Sequence, residues 1–510
     1  MLVRVFGATL HVLDGVRVAV EVEAGAGLPA FHIVGQADRV VNESRDRIRA
    51  AFRHAGLEFP PGRVTVNLAP TGLPKVGSAL DLPIAVGIAG TRVELAEERL
   101  RASLFMGELG LDGGLRPVRG VLAMLGAADG TGIREVVVPS ENLAEAALCS
   151  RVAALGAEDL GAVIRWLRDG EALEAPRPIA DSAQTPGEPF DLADVHGQES
   201  AKRALEIAAA GAHNLLLIGP PGSGKTLLAR RLPGILPPLE LDDALEATRI
   251  HSAAGTLDRR GLLDRPVFRA PHHSTSDSGM CGGGRPLRPG EISLAHRGVL
   301  FLDELPEFKR HVLEALRQPL EEGEIRIARS HGSVRLPARF QLVAAMNPCP
   351  CGWRGSAARE CRCLEPEVAR YRAKISGPLL DRIDLHVAVA AVPWRDMLRD
   401  GRGGESSARV LARVRDARAR QLARYAGEPW STNADLPAAA LIRHCALDPG
   451  ARSLLERAVG ALGLSMRAFV RSLRVARTIA DLAHADAIEV AHVGEAISYR
   501  EAGPTGPGAA

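Results

Sequence analysis

Leu215-Leu216-Leu217-Ile218-Gly219-Pro220-Pro221-Gly222-Ser223-Gly224-Lys225-Thr226-Leu227-Leu228-Ala229 decides how this chain is read. Four apolar residues give a buried-strand signal, a glycine-rich turn follows, and Leu227-Leu228-Ala229 opens a helix. Glycines let backbone N–H groups approach an anion, and the helix start adds the positive end of its dipole. The run Gly219, Pro220, Pro221, Gly222, Ser223, Gly224, Lys225 and Thr226 is therefore expected to cradle a nucleotide. Lys225 would reach the terminal phosphates of ATP, and Thr226 would set a hydroxyl on Mg2+.

Downstream, Gly298-Val299-Leu300-Phe301-Leu302 is a second apolar strand that ends in Asp303-Glu304. The first acid suits the magnesium shell, and the second suits the attacking water. A third strand, Phe340–Ala345, ends at Met346-Asn347-Pro348. The Asn347 amide is a candidate for holding the water or the γ-phosphate; a plain turn residue is the alternative.

The flanks divide the chain. At 510 residues it exceeds one hydrophobic core. Residues 1–172 alternate strand-like and helix-like segments, with period-two patterning at Val18–Val22 and Arg63–Asn67 and helices expected over Val41–Arg53 and Ala79–Ile88. Residues 173–189 are Pro-rich and read as a linker, 190–395 form the second α/β block, 405–500 are helical, and 501–510 are a loose Gly/Pro tail. Net charge is only +2 and aromatics are 4%, so nucleic-acid contact must come from local basic patches and not from a stacking platform. The N-terminus lacks the plan of a secretory signal, and no apolar run approaches the ~20 residues that span a bilayer. A cytoplasmic protein with no membrane contact is expected.

Further stretches carry a resemblance: Asp194-Val195-His196-Gly197-Gln198, Arg269-Ala270-Pro271-His272-His273-Ser274, Pro289–His296, Asn347-Pro348-Cys349-Pro350-Cys351-Gly352, and Ser376–His386. With the phosphate loop they make the chain similar, over nearly its full length, to the ComM/YifB family of magnesium-chelatase-like AAA+ ATPases. The resemblance implies a homo-hexameric ring with ATP between subunits and Val195 and His196 beside the nucleotide. Arg382 matches an arginine reaching the neighbour's γ-phosphate, and Arg467 matches a second sensor on a C-terminal helical lid; arginine suits both roles by stabilising charge on a transferring phosphoryl group. Arg467 shares a helix face with Arg471, Arg474 and Arg477, so a solvated charge or a DNA contact is its alternative.

The resemblance further implies a DNA helicase or branch-migration motor in natural transformation, acting on single-stranded or branched DNA without sequence preference. Glu324–Leu336 reads as a β-hairpin. Arg329 matches the basic residue that such hairpins project into the channel of replicative helicases. Pro271–Pro289 resembles a loop insert of the same clade and adds Arg285 and Arg288. Repeated arginines would neutralise phosphates without reading bases. The rival is a chelatase-like or chaperone-like remodeller of a protein partner. His272-His273 is assigned to loop folding and not to a metal.

Cys349, Cys351, Cys361 and Cys363 form two C-x-C pairs and suit a tetrahedral Zn2+; four reduced thiols are the first alternative and an iron–sulfur cluster the second. Finally, Pro74–Ser78 and Gly107–Val118 resemble the proteolytic domain of Lon, with its ribosomal S5-like fold. Ser78 could stand for the serine, but Leu122 occupies the lysine's place, and no lysine lies between Lys75 and Lys202. Without a base the hydroxyl is not activated, so a non-proteolytic scaffold is expected.

Overall fold

The computed structural model describes residues 2–176, 190–257, 261–329, 332–356, 359–391, 404–462 and 465–501. Most of the expected linker and all of the tail beyond Glu501 lie outside these, as does the stretch 392–403. The chain divides into two compact units.

The first unit is Met1–Ala183 together with Leu241–Leu263 and Gly283–Pro289. Its mixed sheet has seven strands, in the order Ala30–Val34, Arg63–Ala69, Asp14–Gly25, Leu2–His11, Ser103–Phe105, Glu135–Pro139 and Ala153–Ala157. The long hairpin Leu2–His11 with Asp14–Gly25 pairs antiparallel from Leu2 opposite Glu23 to His11 opposite Asp14. Its alternation places Val18, Val20 and Val22 inside. The helix expected over 41–53 forms as Arg39–Asn42 and Ser44–His54, and the second as Asp81–Ala89. That second helix is buried along its whole length, so it shows no amphipathic period.

Two pieces from the middle of the sequence belong to this unit. The helix Leu241–Ala254 buries Ala244, Ala247, Ile250 and Ala253 and packs on the short helix Val121–Met124. Glu145 accepts from the Leu122 N–H at 2.9 Å and from the Ser252 hydroxyl. The arm Gly283–Pro289 packs beside that helix.

The second unit holds a five-stranded parallel sheet in the order Phe268–Arg269, Val299–Leu302, Gln341–Met346, Leu215–Ile218 and Leu385–Ala388. Its three central strands are nearly continuous apolar runs, as a parallel sheet covered on both faces requires. Register sets Leu302 opposite Ala344 and Ile218 opposite Met346, which brings the carboxyl ends of the three central strands to one edge. The hairpin expected over 324–336 forms from Glu324–Arg329 and Gly332–Pro337. The helices Ser407–Arg424 and Met466–Leu482 share one hydrophobic core with the sheet through Val410, Val414, Leu473 and Ile479.

Candidate nucleotide site

The glycine-rich turn leaves Leu215–Ile218 inside the parallel sheet and feeds the helix Lys225–Ala229. Gly222 (φ 74°) and Gly224 (φ 88°) take left-handed backbone, and a Cβ on either would meet nothing within 4 Å. They curl the loop while keeping the space beside it open.

Lys225 Nζ donates to the carbonyls of Gly219 (2.7 Å) and Pro220 (2.9 Å) and to Asn347 Oδ1 (3.1 Å). Burial lowers its pKa, while Asp303 and Glu304 pull it back up. Thr226 Oγ1 donates to Asp303 Oδ2 at 2.6 Å. A hydroxyl and a carboxylate this close are the oxygen donors that a magnesium ion on a nucleotide takes. The donor set fits ATP with Mg2+: one ammonium and open loop N–H groups for phosphates, hard oxygens for the metal.

Glu304 stands one residue beyond, with φ 52°, left-handed backbone that a side chain rarely adopts. Such outliers gather at functional sites, where they aim a side chain. Its carboxylate is half-exposed, and His273 Nδ1 lies 3.5 Å from Oε2. His273 stacks on His272 with ring centroids 4.0 Å apart. His272 Nδ1 in turn meets the Ser274 hydroxyl at 2.7 Å, which agrees with a loop-folding role for His272. His273, read in the sequence with His272 as a loop-folding residue, stands beside Glu304, a contact that the sequence did not signal. Nor did it signal that of Gln198, whose side chain donates to the Ser223 carbonyl at 3.2 Å and ties the segment holding Val195 and His196 to the loop. Val195 itself is buried in the core.

Arg382 is not at this chain's own cradle. Its guanidinium is buried, donating to the Pro378 carbonyl and pairing with Glu321. Burial lowers its pKa, with Glu321 opposing and Arg317, Arg467 and Arg471 reinforcing the shift. Of the four arginines on the 466–482 helix, Arg471 pairs with buried Asp384 at 3.0 Å, Arg474 donates to the Leu436 carbonyl at 2.8 Å, and Arg477 to the Asp486 carbonyl at 2.7 Å. Arg467 is exposed in the first turn.

The four cysteines converge. Sγ of Cys349 lies 3.4 Å from Cys351 and 3.6 Å from Cys361, Cys351 and Cys361 are 3.6 Å apart, and with Cys363 all four sulfurs fall within 4.8 Å of one another. A tetrahedral zinc with ~2.3 Å bonds sets its sulfurs about 3.8 Å apart, whereas a disulfide needs ~2.05 Å. The Trp353 N–H pulls the Cys351 thiol down to about 6. Although the Cys351 N–H lowers Cys363, burial and neighbouring sulfurs push it up to about 12. Backbone N–H groups of Cys351 and Arg354 point at Cys363 and Cys349 sulfurs, both at 3.4 Å, the outer shell that thiolate ligands take.

Arg329 ends its strand opposite Gly332, and its side chain lies outside the described residues. Arg285 and Arg288 sit in the arm that packs within the first unit. Arg288 lines a cleft of about 110 Å³ there with Ser78 and Arg119. Neither Arg119 nor Arg288 has an acidic partner among the described residues. Burial and the Arg288 charge lower the Arg119 pKa. The Ser78 hydroxyl donates to Glu108, and fully buried Lys75 gives its ammonium to the Pro70 carbonyl.

Three family models match in succession: "Subunit ChlI of Mg-chelatase" over residues 20–142, "Magnesium chelatase, subunit ChlI" over 191–397, and "Magnesium chelatase, subunit ChlI C-terminal" over 404–500. The chain is 46% identical to YifB of Salmonella typhimurium, covering 95% of this chain and 94% of that one. It is 44% identical to the competence protein ComM of Haemophilus influenzae, at the same coverage of each. A magnesium-chelatase 38 kDa subunit of Cereibacter sphaeroides is 29% identical over 31% of this chain and 53% of its own. No helix among the described residues is long and apolar enough to cross a membrane.

Proposed function

The chain belongs to the ComM/YifB family of magnesium-chelatase-like proteins, and from that premise we propose that it is a ring-forming AAA+ ATPase that moves on DNA. The observation that carries the ATPase reading is one cluster at one sheet edge. Lys225 meets Asn347, Thr226 meets Asp303, and Glu304 stands free of both pairs beside the open loop. Bound there, ATP would take Lys225 at its terminal phosphates, and Thr226 with Asp303 would hold Mg2+. Glu304 accepts the proton of the attacking water, and His273 holds its carboxylate in place. Asn347 positions the γ-phosphate.

Arg382 acts on the neighbouring subunit's nucleotide, exchanging Glu321 for a phosphate when the hexamer closes. Arg467 completes the site from the C-terminal helices, which serve as the lid. The N-terminal unit is a Lon-like scaffold with no proteolytic base. The cysteine cluster holds one structural Zn2+, because four converging sulfurs at these spacings fit its tetrahedron.

DNA is the favoured substrate. The similarity to a protein named for competence supports it, as does Arg288 beside Arg119, neither with an acidic partner among the described residues. The deciding experiment measures ATP turnover by purified protein with single-stranded, duplex and branched DNA. Stimulation by at least one of these is expected. A flat response to all three overturns the DNA reading and leaves the remodelling of a protein partner, which the partial match to a chelatase subunit supports.

A further inference from the structure

The cysteine knuckle lies against the phosphate loop. Its chain leaves the strand Gln341–Met346 through Asn347, whose amide oxygen receives Lys225, and reaches buried Cys349 two residues later. A tight turn follows, closed by the Gly352 N–H on the Cys349 carbonyl at 3.0 Å. Gly352 has φ 83°, and a Cβ built there would sit 2.6 Å from Pro221 Cδ and 2.8 Å from Pro221 Cγ. Real Cβ atoms do not come this near, so the turn's backbone rests directly on the proline of the phosphate loop. The same short segment thus touches the loop twice, through Asn347 on Lys225 and through Gly352 on Pro221.

We propose that this knuckle is a positioning support of the nucleotide site: the Cys349–Cys363 cluster, clamped by a tetrahedral metal, holds Gly352 against Pro221 and Asn347 against Lys225. The proposal rests on the ATPase and zinc readings above and adds a coupling between them. Two of the four cysteines, Cys349 and Cys351, lie between the contacting residues Asn347 and Gly352, and the other two tie them to the segment before the helix Glu365–Arg372. With the four sulfurs joined, the turn has one conformation to offer the loop. With them free, the loop loses the wall that keeps Pro221 in place. The role is that of a support: no knuckle residue touches the reacting phosphate.

Coupling is reciprocal by thermodynamic necessity, so the wild-type protein provides the first test. If metal occupancy tightens nucleotide binding, bound nucleotide must raise the affinity for zinc by the same factor at equilibrium. Zinc transfer to a zinc-selective colorimetric chelator is measured with and without saturating ADP and Mg2+. At least fivefold weaker extraction with nucleotide is expected, the lower end of usual coupling between sites. Equal extraction overturns the coupling.

The second test needs no metal titration. Gly352→Ala and Gly355→Ala impose similar left-handed strain, since Gly355 has φ 73°, but a Cβ on Gly355 meets nothing within 4 Å. With zinc content and circular dichroism of both variants as controls, Gly352→Ala should weaken binding of a fluorescent ADP analogue about tenfold or more. Gly355→Ala should stay within about twofold of wild type. Equal affinities for the two variants overturn the proposal. Protein that never carries zinc removes the metal reading alone, because the Gly352 contact is then still tested by this pair.

Discussion

Two of the three lysines buried among the described residues make an instructive pair. Lys75, in the first unit, is wholly buried and gives its ammonium to the Pro70 carbonyl. Lys225, in the second, is nearly as buried and likewise donates to carbonyls. Burial lowers the pKa of both. What differs is the company. Lys225 also reaches Asn347, feels Asp303 and Glu304, and sits beneath a loop whose two left-handed glycines face open space. Lys75 has no carboxylate pulling on it. Each lysine lies near a hydroxyl in sequence, yet Ser78 gives its proton to Glu108 while Thr226 gives its own to Asp303 beside the glycine-rich loop. A depressed lysine is thus not by itself a candidate site; the acids and the open loop beside Lys225 are what single it out.

The sharpest way to break this contrast is to remove both ammonium groups in turn. Lys225→Ala should abolish measurable ATP binding and cut turnover at least ~100-fold, as loss of a preorganised charge on a phosphoryl group does. Lys75→Met should leave turnover within about twofold and register only in thermal unfolding. ATP turnover that falls equally in both would erase the distinction.

The acids provide the next comparison. Glu304→Gln keeps nucleotide affinity but should slow hydrolysis ~10²–10⁴-fold, the usual contribution of a positioned base. Glu108→Gln should leave hydrolysis unchanged, and Ser78→Ala should cleave unfolded casein no better or worse than wild type, with neither showing activity above buffer. Casein cleavage that Ser78→Ala loses would reinstate the first unit as a protease.

A subtler effect concerns assembly. Mixed rings of Arg382→Ala and Lys225→Ala subunits should recover part of the ATPase activity that each lacks alone, since one kind lends intact loops and the other intact fingers. Subunit exchange confirmed by mass, with no recovery, would return Arg382 to its pairing with Glu321 as a fixed structural bond.

The smallest expected effect is in salt dependence. Arg119→Ala and Arg288→Ala should each leave basal ATPase within twofold and reduce the slope of log affinity for single-stranded DNA against log salt by about 0.7 per engaged subunit. Slopes equal to wild type would remove the first unit from the DNA path.

What was legible in the sequence was whatever lies contiguous along it. The loop Gly219–Thr226, the acids Asp303-Glu304, the hairpin 324–336 and the cysteine pairs each announce themselves within about fifteen residues. Local pattern also sets strand identity, and a parallel register then carries Asn347 and Asp303 to one edge. Contacts between distant segments had no such signal. His273 near Glu304, Gln198 on Ser223 and Glu321 on Arg382 join residues that only tertiary placement brings together. Membership of 241–263 in the first unit was equally hidden, since an amphipathic helix announces that it has a buried face and not which neighbour covers it.

That membership has a consequence at the level of the gene. The chain changes unit after residues 183, 240, 263, 282 and 289. No single cut in the coding sequence separates the first unit from the second, and a message starting near codon 190 would still encode a helix whose buried alanines and isoleucine lack their cover. Loss or exchange of the N-terminal third alone would therefore leave the segments Leu241–Leu263 and Gly283–Pro289 without their partners. A lineage that keeps the second unit while discarding that third would be expected to carry a more polar surface on the helix 241–254.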